Sequence, residues 1–126
     1  MNWFKIAKNF SDRNAVNDKI IYLSELASIL EKMSKRIFQN ASLVKSSTSD
    51  ILYSKKITSY PLLQDIIMEA NEIALDSPWK FESLCKEAIA MIENKIYELK
   101  EERTKLTANE EDDGSFKVEK GWVYER

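Results

Sequence analysis

The sequence predicts an all-α fold, an antiparallel helical bundle, and three observations carry that prediction. Apolar residues recur at alternating spacings of three and four over most of the chain. Both glycines, Gly114 and Gly121, lie near the C-terminus, so the Asn-Gly and Asp-Gly turns of tight hairpins are missing from residues 1–112. The interruptions that do occur, at Pro61 and Ser77-Pro78, are helix-start signals.

The elements follow in order. Trp3, Ile6, Ala7 and Phe10 share one helical face, which predicts a short amphipathic N-terminal helix over 2–10, with Ser11 or Asp12 capping the next. That next helix carries Val16, Ile20, Leu23, Ala27, Leu30, Ser34, Ile37, Ala41 and Val44, a coiled-coil-like seam in which only Ser34 is polar. Leu26, Ile29 and Met33 widen the stripe to the breadth of a bundle helix. Taken as one helix, residues 12–46 would span about 50 Å at ~1.5 Å per residue. The run Ser46-Ser47-Thr48-Ser49 lowers helix propensity, which leaves a short new helix at 49–57 or a continuation; continuation is the preferred expectation.

Pro61 favours the first position of a helix and pushes Tyr60 out of helical dihedrals. Leu63, Ile66, Ile67, Ala70, Ile73 and Ala74 then define a second main helix over 61–76. Ser77 as N-cap and Pro78 at the first position open the third, with Phe81, Leu84, Cys85, Ala88, Ile89, Ile92, Ile96, Leu99 and Leu106 on one face and an end near 107. The expected division is a helical bundle over 1–107, then an acidic linker and aromatic tail over 108–126. The tail alternates apolar and polar residues on either side of Glu119-Lys120-Gly121, the pattern of a hairpin with a three-residue loop.

Composition excludes several chemistries. The chain of 126 residues has no histidine, hence no histidine base and no Ser-His-Asp triad. One cysteine forms neither an internal disulfide nor a thiolate zinc site. The body lacks the glycines of a phosphate-cradling loop. Lys5 and Lys8 interrupt the apolar start, so no secretory signal is expected, and no apolar run reaches membrane-spanning length; the expected location is cytoplasmic.

Net charge is −2 but uneven: residues 1–60 carry 10 Lys/Arg against 5 Asp/Glu, and residues 61–126 carry 9 against 16. The halves are expected to attract each other, within the fold or across an oligomer interface. Apolar stripe in excess of what the shorter helices cover points to self-association as a dimer.

Asp65, Glu69, Glu72 and Asp76 fall within about a 60° sector at ~100° per residue. A solvated face is the plainest reading of that row, a docking face for a basic partner the next, and a Mg²⁺ or Mn²⁺ site the third. Glu69-Ala70-Asn71-Glu72 matches the first half of the Glu-x-x-Glu … Glu-x-x-Asp signature of all-α nucleoside triphosphate pyrophosphohydrolases. Glu110-Glu111-Asp112-Asp113 supplies the letters of the second half, but in the expected linker and with 37 residues separating Glu72 from Glu110, more than that family usually shows. The chain is therefore not assigned to it. The linker also imitates a calcium loop, but the twelfth position, where a bidentate Glu is needed, is Lys120. No metal site and no cofactor are expected.

Lys32, Lys35, Arg36, Lys55 and Lys56 form a candidate phosphate-binding set, although only four residues of the chain are Arg and no base-reading motif accompanies them. Phe116, Trp122 and Tyr124 of the tail are candidate anchors for a partner. The leading expectation is a non-enzymatic interaction or assembly protein whose partner surfaces are the tail aromatics Phe116, Trp122 and Tyr124 and the acidic row. A nucleic-acid-associated regulator using the basic first half is the alternative, and a carboxylate-metal nucleotide hydrolase centred on Glu69 and Glu72 a distant third. The excess of Lys over Arg, with frequent Asn and Ile, matches AT-rich coding sequence and a small bacterial or phage accessory protein.

Overall fold

The structure is a computed structural model that describes the backbone of residues 3–114 and the side chains of residue 8 and residues 10–106. It is all-α, with no strand among the described residues. Four α-helices follow one another: α1 (Trp3–Arg36), α2 (Ala41–Tyr53), α3 (Pro61–Ile73) and α4 (Pro78–Gly114), with a 3₁₀ turn at Lys55–Ser59 between α2 and α3. The expected hairpin and the aromatics Phe116, Trp122 and Tyr124 lie outside the described residues.

The N-terminal helix is not separate. α1 runs without interruption through Ser11 and Asp12, because neither residue breaks a helix and local pairs tie the two sides together. Lys8 donates to Asp12 at 3.1 Å, and the Arg13 guanidinium sits 5.6 Å from the centre of the Phe10 ring.

The helix expected over 12–46 breaks inside its length, between Arg36 and Ala41, and not at the serine run. α1 stops at Arg36, with Lys35 and Arg36 in its last turn, where cations favour the carbonyl end of the helix dipole. The amides of Gln39 and Asn40 both donate to the Arg36 carbonyl at 2.8 Å, which closes the helix. The Asn40 side chain then accepts from the Leu43 amide at 3.1 Å and caps α2. The serine run does not break α2. Thr48 donates to the carbonyls of Val44 and Lys45, both at 3.1 Å, and so stays helical while fully buried.

α3 begins at Pro61 as expected and ends at Ile73, three residues early. The amides of Asp76 and Ser77 turn back onto the Ile73 carbonyl at 3.0 and 2.9 Å. Ser77 caps α4, accepting from the Lys80 amide at 3.3 Å, with Pro78 at the first helical position. α4 continues through the segment expected as a linker as far as Gly114, the last described residue, since no residue between Asn109 and Gly114 forbids a helix.

The chain divides into two compact units. Unit 2, residues 23–95, holds the end of α1, all of α2 and α3, and the start of α4. Its core is Leu23, Leu26, Leu30, Ile37, Val44, Ile57, Leu63, Ile67, Phe81, Leu84 and Ile92, with Ala70, Ala74, Cys85 and Ala88 where helices approach closely. Buried Ser34 satisfies its hydroxyl on the Glu31 carbonyl at 2.7 Å. Unit 1 combines residues 1–22 with 96–126. There the start of α1 meets the end of α4: Val16, Ile20 and Leu99 are buried, and Arg103 donates to the Asn17 side-chain oxygen at 2.9 Å.

Candidate interaction surface

Two turns of unit 2 meet through aromatic rings. Phe38 lies in the α1–α2 turn, two residues before the Asn40 cap, and Trp79 is the second residue of α4. Their ring centres are 5.5 Å apart at an interplanar angle of 73°, an edge-to-face contact. The pair is not covered: Phe38 is 46% exposed and Trp79 72%. Leu75, in the α3–α4 turn, is also exposed. Large apolar side chains left in water at a joint between helices are what a partner-binding surface offers. From sequence, Trp79 is expected to pack across its own turn and Phe38 draws no expectation. The available signal is at Trp79, which stands beside the helix-start residue Pro78.

A half-buried polar cluster around buried Thr48 holds α2 to α3. The Asn71 side-chain amide donates to the Lys45 carbonyl at 2.9 Å, Thr48 Oγ1 at 2.7 Å and Ser49 Oγ at 3.0 Å. Its two N–H groups are thus shared among three acceptors. The Lys45 ammonium returns to the Asn71 carbonyl at 2.7 Å and to Asn71 Oδ1 at 3.3 Å. That ammonium lies at the carbonyl end of α3, where a cation satisfies orphan acceptors and the dipole together. The central residue of this clamp is the third letter of Glu69-Ala70-Asn71-Glu72.

The acidic row is accordingly a row of three. Asp65, Glu69 and Glu72 are exposed on α3, while Asp76 lies beyond its end, in the turn. Glu69 faces Lys80 of α4 at 4.0 Å, with both side chains about half exposed, a pair worth little in water. Among the described residues, no three Asp, Glu, Cys or His side chains converge as a metal site.

The basic candidates separate into two groups. Lys32, Lys35 and Arg36 are exposed at the end of α1, and Lys35 pairs with Glu31 at 3.8 Å. Lys55 and Lys56 are exposed in the 3₁₀ turn at the far end of α2. The 13 residues of that helix put about 20 Å between the groups at ~1.5 Å per residue. At the second group stand two very exposed side chains, Tyr53 at 87% and Leu62 at 70%.

Among the described residues, three ionisable groups are displaced. Burial, and then the negative charge of Glu82, push the Cys85 thiol up to about 12, so it stays protonated and unreactive at neutral pH. Burial raises the Tyr60 hydroxyl. A hydrogen bond to Glu101, reinforced by that carboxylate's charge, raises Tyr97.

In comparison with known proteins, no family model matches the chain, and no curated protein or solved structure matches it. Among the described residues, no helix is long and apolar enough to cross a membrane.

Proposed function

We propose that this chain is a non-enzymatic helical interaction protein, an adaptor or assembly module of the cytoplasm that engages a protein partner and also pairs with itself. The observation that carries the reading is the Phe38–Trp79 pair, two touching aromatic rings held by separate turns and left open to water. Aromatic anchors of this kind dominate the energetics of interfaces because they bury much area and lose little rotamer freedom. The composition supports the non-enzymatic part. With no histidine, and with its one thiol buried and protonated, the chain lacks two common sources of a neutral-pH base or nucleophile. Phe116, Trp122 and Tyr124 of the tail, and Asp65, Glu69, Glu72 and Asp76, are further contact residues in this reading.

The test is affinity capture from native lysate with three baits: the full chain, the double variant Phe38→Ala/Trp79→Ala, and a truncation after Gly114. The double variant should lose the partner while keeping its helical signal. Losing one edge-to-face contact costs about 0.5–1.5 kcal/mol, so its melting should fall by only a few degrees. The truncation reads the share of Phe116, Trp122 and Tyr124. Light scattering across a concentration series reads self-association. Identical capture by all three baits, with a monomeric mass throughout, overturns the proposal.

A further inference from the structure

We draw no further inference here: the strongest candidate, the exposed Phe38–Trp79 patch at the α1–α2 and α3–α4 turns of unit 2, is the surface on which the proposed function already rests, and nothing in the structure shows what covers it.

Discussion

Units 1 and 2 share α1 and α4 but solve the burial problem differently. In unit 2, α2, the 3₁₀ turn and α3 join the two long helices, and side chains such as Phe81, Leu23 and Ile67 lose all contact with water. Thr48 and half-buried Asn71 can then be polar within it, because α2 and α3 supply each other's partners. In unit 1, among the described residues, two helix ends face each other. Only their facing stripes are shielded: Val16, Ile20 and Leu99 are buried, while Phe10, Ile21 and Tyr97 remain exposed. Apolar periodicity is equally good in both regions, so periodicity alone does not make a core. The number of helices that converge does.

The contrast between the units is most exposed to test at their best-buried side chains. Phe81→Ala empties a fully buried site in unit 2 and should cost about 3–5 kcal/mol, read by denaturant unfolding. Leu99→Ala in unit 1 should fall at or below the low end of the usual ~2–5 kcal/mol for such a change, since a two-helix seam collapses around the gap. Equal costs for the two variants would erase the distinction.

The polar clamp sharpens it. Asn71→Ala leaves buried Thr48 and the Lys45 carbonyl short of a donor, and should cost about 1–3 kcal/mol. A double-mutant cycle with Thr48→Val should return a coupling of about 0.5–3 kcal/mol. Strict additivity would show that the clamp contributes nothing of its own.

pH reads the same core from another side. Cys85 has its folded pKa raised above the usual value, so the unfolded chain loses its proton first as pH rises. The stability it contributes is intact below about 9 and declines as pH climbs from there toward 12. Cys85→Ala should flatten that decline relative to the parent chain in alkaline melts, even though Tyr60 titrates in the same direction. Superimposable slopes would remove the thiol from the account. The smallest effect belongs to unit 1. Asp12→Ala breaks an ion pair between exposed side chains and should cost about 0.3–0.5 kcal/mol, fading in salt. A loss several times larger would mean that the unit depends on its surface.

Much of this architecture is legible without coordinates. The seam residues from Val16 to Val44 are buried or half-buried, and the starts of α3 and α4 fall at Pro61 and Pro78, because proline has only one backbone preference to express. The break after Arg36 is hidden. Ile37, Ala41 and Val44 keep helical spacing across it, and an Asn cap without glycine or proline has no unique signature. The helical state of residues 108–114 is misread for the opposite reason: acidic residues look like a linker, but charge does not stop a helix. The Asn71 clamp is half legible. Thr48 falls four residues after Val44, at the next seam position, so a buried hydroxyl needing a partner is foreseeable. That the partner stands 23 residues away is not, since no local pattern links a threonine to an asparagine on another helix. The Phe38–Trp79 contact is of the same non-local kind.

The clamp also constrains how such a sequence can drift. Positions 48 and 71 form one unit of heritable change: hydroxyl with amide, or apolar with apolar, keeps the α2–α3 joint satisfied. A step at 71 alone takes away the amide that donates to buried Thr48 Oγ1, while a step at 48 alone still leaves Asn71 the Lys45 carbonyl and Ser49 Oγ. Loss of the asparagine should therefore bring loss of the threonine hydroxyl with it, whereas Glu69 and Glu72, facing water on either side of Asn71, are free to wander one at a time.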